Sequence, residues 1–585
     1  MSRPIGEPSA IFSRTLQQML PPSVPPPVGS ALERMLVIDQ LDRLYDRVRS
    51  EPRESFCGNL LSALNVRVEI TDADRRRVPL RGPVVAVANH PFGFIEGVIL
   101  GAVLRALRPD VKIMANYLLA SVPELREITI PVDPFGRDTS VRANLRGMKE
   151  SIEWLERGGM LVVFPAGEVA HLDVIRRAVT DPEWSRSIAR LVRKTKSTAL
   201  PVYFSGGNGP LFHLAGLIHP RLRTALLPHE FLNKHGRTVE LRVGTPVPCK
   251  RLEEMPGDAE ATDYLRSRTF LLENRQSEKQ ERSQTTGRAI VSATPPNLIE
   301  RELAALPASA ILLESGPYQV ALATAPQIPH ALREIGRLRE ITFRSAGEGT
   351  GQPLDLDRFD ETYWHLFLWN REAREIAGAY RLGATDRLGL DGLYTRTLFS
   401  YGQPFLDRLG PALELGRSFV RSEYQKSFQP LLLLWKGIGQ FVAGDLRYTT
   451  LFGPVSISND YQPASRQIMV DFLRRHEQEP DLAKLVRPRR PFKKRAVPGW
   501  GRTVQWDLED LATVIGDIES DQKGVPVLLR QYLKVGGKLV AFNVDAEFSD
   551  ALDGLIVVDL KATNPRMLER YMGKAGVAAL ASSRF

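Results

Sequence analysis

Residues 274 to 298, NRQSEKQERSQTTGRAIVSATPPNL, carry no aromatic side chain and few apolar ones. Such a stretch has too little apolar surface to offset the entropy of ordering it, and it predicts a linker over 274–304. The apolar pattern differs on its two sides. From about 60 to 250, short β-rich runs (GPVVAVAN, GMLVVFPAG, TALPVYFSG, TVELRVGTPV) alternate with helical stretches such as 139–157, the mark of an α/β domain around a central sheet. From about 305 a second rhythm begins. A helix is expected over 328–346 and strands near 363–369 and 375–383, then ALELGRSFV, a long helix and further strands. No internal repeat relates the halves. A chain of 585 residues is too long for one core. The expected organisation is N-terminal amphipathic helices over 1–50, an α/β domain over 51–273, the linker, and an unrelated α/β domain over 305–585.

Ile11, Phe12, Leu16, Met19 and Leu20 give residues 9–20 an apolar face, and 30–50 repeats the pattern after PPSVPPPVG, where proline ends a helix. These helices either pack on the first domain or lie in a membrane interface. No run reaches the about 18 apolar residues of a spanning helix. Arg105 and Arg108 interrupt GVILGAVLRALRP, and Lys436 interrupts PLLLLWKGIGQFVAG. The N-terminus lacks the apolar centre of a signal peptide. Cys57 and Cys249 have neither metal-like spacing nor the number for a disulfide framework. The expectation is a cytoplasmic chain without a metal, associated peripherally with the inner face of the membrane. Lys and Arg number 78 against 68 Asp and Glu, a net charge of +10. That balance suits an anionic membrane surface, an acidic carrier protein or nucleic acid. No nucleic-acid reader motif is present, so nucleic acid is not expected as a partner.

Two groups of residues carry chemistry. In VAVANHPFGFIEGVIL, a strand ends at Asn89-His90-Pro91 and a single acid, Glu96, follows. A histidine past a strand end faces a cleft. It can take a proton from a hydroxyl if an acid fixes its tautomer. Read alone, the same residues are equally a turn beside a solvated charge. Three later stretches add to them: PVDPFGRD with Arg137, FPAGE with Gly167 and Glu168, and LPVYFSGGNGP. In this order they resemble the four blocks of glycerolipid acyltransferases, closest to the lyso-ornithine lipid and hemolysin-like branch, over roughly 55–250. The resemblance implies that His90, assisted by Glu96, deprotonates an acceptor hydroxyl that attacks an acyl thioester, and that Arg137, Gly167 and Glu168 shape the acceptor pocket. Five residues separate His90 from Glu96 where the family has four and an Asp. Val169-Ala170 follow Gly167-Glu168 where the phosphate-binding version has Thr-Arg, which argues against a phosphate-bearing acceptor.

The second half contains RLREITFR, DLDRFDE, GAYRLG and LELGRSFV. Arg339 and Phe343 share a helix face. Asp357 and Asp360 lie in a polar loop, Arg381 follows an apolar strand, and Glu414 and Arg417 share a short segment. Taken singly, each reads as an exposed ion pair of little worth. As a set they resemble GNAT-like N-acyltransferases that draw on acyl carrier protein. The acyl-homoserine-lactone synthases share R-x-x-x-F, D-x-x-D and E-x-x-R in this order. The ornithine N-acyltransferases resemble the chain further, through GEGTG, HLFLWN, LYTRTLF, YQKS, LLLLWKGIG, LFGPVSIS and GVPVLLRQYL. The chemistry needs a neutral amine at a thioester carbonyl. Glu414 can accept the ammonium proton, Asp357 and Asp360 can hold a second ammonium, and Arg381 and Arg417 can meet a carboxylate. Backbone N–H groups at the Tyr424–Ser427 turn can hold the pantetheine phosphate. WKGIG reads as helix packing.

Together the two resemblances imply a fused ornithine lipid synthase of two unrelated α/β domains, one glycerolipid-acyltransferase-like and one GNAT-like. The C-terminal half N-acylates ornithine with a 3-hydroxyacyl group from acyl carrier protein, whose phosphopantetheine thioester is the donor, with no bound cofactor. The N-terminal half then esterifies the new hydroxyl of the lyso-ornithine lipid. The alternatives are a glutamine, lysine or glycine head group, or a non-enzymatic membrane-associated protein with degenerate acyltransferase domains.

Overall fold

The computed structural model describes Phe12 and residues 37–49, 56–116, 122–132, 140–174, 178–276, 287–501 and 504–582. It divides into two compact units, one of Met1–Arg275 with Val497–Asp507, the other of Gln276–Ala496 with Leu508–Phe585.

Unit 1 is built on β1 (Arg67–Glu69), β2 (Val84–Ala88), β3 (Val111–Asn116), β4 (Thr129–Val132), β5 (Met160–Val163), β8 (Thr198–Phe204) and β9 (Thr238–Val243), in the spatial order β1-β9-β8-β2-β5-β3-β4. The order omits the outlying hairpin of β6 (His171–Asp173) and β7 (Ala178–Thr180). Every pairing in the large sheet is parallel except β8 with β9. Every residue of β2 and β5 is buried. That is why these strands read as unbroken apolar runs, as central parallel strands covered on both faces do. The three loops that carry NHPFG, FPAGE and SGGNG therefore leave the carboxyl ends of three adjacent strands, β2, β5 and β8, where α/β folds place their ligands.

Of the N-terminal helices, 9–20 lies outside the described residues apart from Phe12. The helix Ile38–Val48 buries Ile38, Leu41, Leu44, Tyr45 and Val48 in the core of unit 1. Unit 1 is completed by a segment from far along the chain. Trp506 is buried and packs on Tyr264 at 5.1 Å and on Trp500 at 5.0 Å, and Arg251 donates to the Gln505 carbonyl at 3.1 Å. Gly499, at φ +78°, passes within contact of the Leu271 backbone, where any Cβ would clash. The division into 51–273 and 305–585 missed this return.

Unit 2 has an eight-stranded sheet of β10 (Ile311–Ser315), β11 (Tyr318–Thr324), β12 (Trp364–Asn370), β13 (Glu375–Ala384), β15 (Ala412–Val420), β16 (Thr450–Ile457), β18 (Lys538–Asp545) and β19 (Ala551–Asp559), ordered β10-β11-β12-β13-β15-β16-β19-β18. A two-residue ribbon of β14 (Phe399–Ser400) and β17 (Arg487–Pro488) stands apart. The pairing is antiparallel throughout except between β15 and β16. That parallel pair holds only from Ala412 to Glu414; beyond it β15 stays with β13 and β16 with β19, so the sheet parts. Arg417 stands just past the parting, at φ +49°, where β15 has one residue more than β13 between the pairs Arg381–Gly416 and Ala379–Phe419. Such a bulge re-aims a side chain.

The linker is shorter than 274–304. Arg275 is buried in unit 1 against Asp74. From Arg288, whose N–H donates to the Gly351 carbonyl, the chain already packs on unit 2. The helix Pro296–Ala305 buries Ile299 there. Residues 277–286 lie outside the described residues. Gly437 and Gly439, in WKGIG, lie inside the helix Gln429–Gly444, where a Cβ would meet Val320 and the Tyr571 carbonyl, a packing role as the sequence implied.

Candidate active sites

His90 is the second residue past β2, and its side chain is 14% exposed. Glu96, in the first turn of the helix Ile95–Leu107, is fully buried. Glu96 Oε1 lies 3.2 Å from His90 Nδ1, within ion-pair reach but not aligned as a hydrogen bond. The same oxygen accepts the backbone N–H of Phe92 at 2.6 Å and of Gly93 at 3.0 Å. Burial pushes the Glu96 carboxyl up, but His90 and these two N–H groups outweigh it and hold the acid below its ordinary range. An ionised carboxylate beside Nδ1 leaves Nε2 to take a proton from a hydroxyl. The ring stacks on Phe164 at 4.4 Å, and the backbone N–H of His90 donates to the buried Asp181 at 3.2 Å. Asn89 ties the loop to β8: its Nδ2 donates to the Phe204 carbonyl at 3.0 Å and its Oδ1 accepts the Phe204 N–H at 2.7 Å. Gly167 takes a left-handed turn at φ +67°. Arg137 lies outside the described residues.

Unit 2 gathers the second set into one buried network. Arg339 donates to Asp360 at 2.7 Å and Arg381 to Asp357 at 2.6 Å; Arg381 also lies 3.3 Å from Asp360, and Arg417 lies 3.5 Å from Asp357 and 3.8 Å from Asp355. Arg339 and Arg381 are fully buried. Phe359, Tyr363 and Tyr394 wall Arg381, and Arg417 lies 4.3 Å over the Phe548 ring, which Phe343 meets edge-on. Asp357 and Asp360, expected to hold a substrate ammonium, are thus already engaged by guanidinium groups, and Arg381 is sealed from a substrate carboxylate. Glu414 is buried too. It accepts from the Tyr363 hydroxyl, the Tyr394 N–H at 3.0 Å and the Thr395 N–H at 2.6 Å. Burial pushes its carboxyl up despite these donors. The expected proton acceptor therefore anchors the 394–395 turn inside the protein.

A family model described as Acyltransferase matches residues 51–278, and one described as Acetyltransferase (GNAT) domain matches residues 338–436. The glycine N(alpha)-acyltransferase of Bacteroides thetaiotaomicron is 33% identical over 263 residues, 41% of this chain and 77% of that protein. The chain belongs to this acyltransferase family. It is also similar to the lyso-glycine lipid O-acyltransferase of the same organism, 23% identical over 260 residues, 43% of this chain and 91% of that protein. Among solved structures it matches the 1-acyl-sn-glycerophosphate acyltransferase PlsC of Thermotoga maritima, with 18% identity, 40% of this chain and 83% of that chain covered, and a TM-score of 0.25.

The acyltransferase has site residues that its sequence did not single out. Asn208 donates to the Phe92 carbonyl at 3.0 Å; Lys234 donates to Asn208 Oδ1 at 2.9 Å and to Glu230 at 3.2 Å. Burial holds the Lys234 ammonium below its ordinary range, against the pull of Glu230 and Glu96. This chain fixes the loop that presents Glu96 to His90. The Glu230–Lys234 spacing was legible as a helical pair, but not that it faces inward. An arginine does stand at FPAGE: Arg223 reaches Glu168 at 2.9 Å from 55 residues away. Among the further acids that unit 2 buries are Glu348, Asp545 and Asp553. No cation lies within ion-pair distance of them among the described residues. Glu348 accepts from Ser456 at 2.8 Å, and Ser456 and Asp553 are direct partners across β16 and β19. Burial, with Asp460 adding to it, pushes the Glu348 carboxyl up to about 7.

Proposed function

We propose that this acyltransferase makes a phosphorus-free aminolipid by two transfers in series. Unit 2 N-acylates an amino acid with a 3-hydroxyacyl group from acyl carrier protein, and unit 1 esterifies the new hydroxyl with a second acyl group. In the first transfer the amine nitrogen attacks the thioester carbonyl, the C–S bond breaks, the thiol leaves and the ammonium proton passes to a carboxylate. In the second, the hydroxyl oxygen attacks another thioester carbonyl as His90 Nε2 takes its proton, the C–S bond breaks, and the sulfur takes that proton back and leaves as the thiol. The observation that carries the reading is the His90–Glu96 pair at the carboxyl end of β2, in one chain with a GNAT unit whose sheet parts beside Arg417. Similarity to both an N(alpha)-acyltransferase and a lyso-lipid O-acyltransferase supports the pairing of the two activities.

Glu348 suits the proton acceptor of the first transfer better than Glu414, because its carboxyl titrates near neutrality and carries a single donor from Ser456. Arg417 would take the substrate carboxylate. Asp545 and Asp553, acids without an ion-pair partner, favour a substrate with a second ammonium, and ornithine is the head group we infer. Glycine is the second reading, favoured by what the relatives are named for. An excess of basic residues suits the acidic carrier protein as donor. The test is a competition assay with the purified chain, 3-hydroxyacyl-acyl carrier protein, and ornithine and glycine at equal concentration. Acyl-ornithine as the main product supports the reading, acyl-glycine supports the second one, and no acylated amino acid refutes both.

A further inference from the structure

Tyr380 and Trp435 are buried in unit 2, and among the described residues neither the Tyr380 hydroxyl nor Trp435 Nε1 has a hydrogen-bond partner. The two lie together. The Tyr380 hydroxyl faces Ser418, the Trp435 indole and the Tyr532 hydroxyl, and the rings of Trp435 and Tyr532 meet edge-on at 5.0 Å. Burial pushes the Tyr380 and Tyr532 hydroxyls above their ordinary range, so both stay protonated and able to donate. A buried donor without an acceptor costs stability, and folded proteins seldom leave one unmatched. Aromatic walls with a few convergent polar atoms are the lining of a ligand site.

The register of the sheet says which group comes here. Ala379 pairs with Phe419 and Arg381 with Gly416, so Tyr380 stands opposite the bulge of Arg417 and Ser418. Alternation along β13 puts Tyr380 on the other face from Ala379 and Arg381. On one face, Ala379 and Phe419 belong to the core that holds Phe343 and Phe548, and Arg417 lies over Phe548. On the other face, Gly378 lies against Leu434 of the helix Gln429–Gly444, which also supplies Trp435. The bulge therefore sends Arg417 to one face and Ser418 to the other, beside the place where β15 and β16 part. Ser418 is only half-buried.

We propose that Tyr380, Trp435 and Ser418 read the 3-hydroxyl of the acyl donor. The thioester carbonyl lies at the parting of β15 and β16, with the amino-acid carboxylate on Arg417 at one face and the acyl chain leaving by the other. The 3-hydroxyl is two carbon–carbon bonds beyond the carbonyl carbon, where the chain passes the bulge. Its oxygen accepts from the Tyr380 hydroxyl and Trp435 Nε1, and its hydrogen goes to Ser418 Oγ. An unsubstituted chain leaves both donors unpaired and is selected against. This rests on the reading of unit 2 as an N-acyltransferase given above.

The test uses the full chain, ornithine and glycine supplied together, and two donors of equal chain length, 3-hydroxyacyl- and unsubstituted acyl-acyl carrier protein. The wild type has the higher kcat/KM for the hydroxylated donor. Tyr380→Phe and Trp435→Phe each lower the ratio of the two kcat/KM values by about tenfold. A Tyr380→Phe ratio equal to that of the wild type overturns the proposal. So does an equal loss with both donors, because the cluster then holds the pantetheine arm that both carry or serves packing alone. Acylation by the wild type at equal kcat/KM with both donors refutes the hydroxyl site and leaves the function standing. A second readout needs no transfer: in calorimetric titration without amino acid, the wild type binds the hydroxylated donor about tenfold more tightly than the unsubstituted one, and Tyr380→Phe does not. That result from a chain that acylates neither amino acid would refute the function and leave the hydroxyl site standing.

Discussion

Single residues decide the chemistry through burial and partners. Glu348 is the sharpest case, since its folded carboxyl is raised to about 7 from an ordinary 4.5. The protonated form is the one the fold favours. Its contribution to stability is full below about 4.5 and is lost as pH rises through about 7. The reaction needs the other form, so N-acylation should rise over the same window. In Glu348→Gln, urea unfolding measured against pH should lose this slope, and N-acylation should fall by about a hundredfold or more. Glu414→Gln keeps the acceptor of the Thr395 N–H and should lose less; the reverse order would return the base role to Glu414. The Arg339–Asp360 pair is structural by comparison. Asp360→Asn removes the counter-charge that two buried guanidinium groups share and should destabilise unit 2 by about 3–5 kcal/mol in urea. The arginines and acids of this network were legible as an ordered set, since each motif fixes residue type and spacing. That they neutralise one another was not legible, because only the folded unit, with the helix Pro329–Ser345 packed on the sheet, brings positions 339, 360, 381 and 417 together.

At the scale of elements, the strands were the most legible part. GPVVAVAN, GMLVVFPAG and TALPVYFSG are apolar on both faces, and only a covered parallel strand accounts for that. The loops leaving them were legible for the same reason, as polar and glycine-rich exits. Pairing between distant segments left no local signal. Residues 497–507 fall within the domain expected over 305–585, yet Trp506 is 4% exposed against Tyr264 of unit 1. Trp506→Ala should cost unit 1 about 3 kcal/mol. Differential scanning calorimetry would show the loss in the transition that also responds to a core substitution in β2. A fragment ending near residue 290 lacks this cover and should be less soluble than one to which residues 497–507 are restored. Equal solubility would mean that the late segment contributes little.

At the scale of the whole molecule, two acyltransferase units of unrelated fold act, on the proposed reading, in one sequence of events. On that reading, the product of unit 2 bears the hydroxyl that His90 of unit 1 deprotonates. The parted sheet at Arg417 and the His90 loop are far apart in sequence, so removing one leaves the other's local structure intact. The most direct measurement is mass spectrometry of the lipids from a host that expresses His90→Ala beside one that expresses the wild type. The wild type should yield the diacyl aminolipid. The variant should accumulate the monoacyl aminolipid and lower the diacyl form by about a hundredfold to ten-thousandfold, the span of general-base catalysis. Undiminished diacyl aminolipid from His90→Ala would contradict the account.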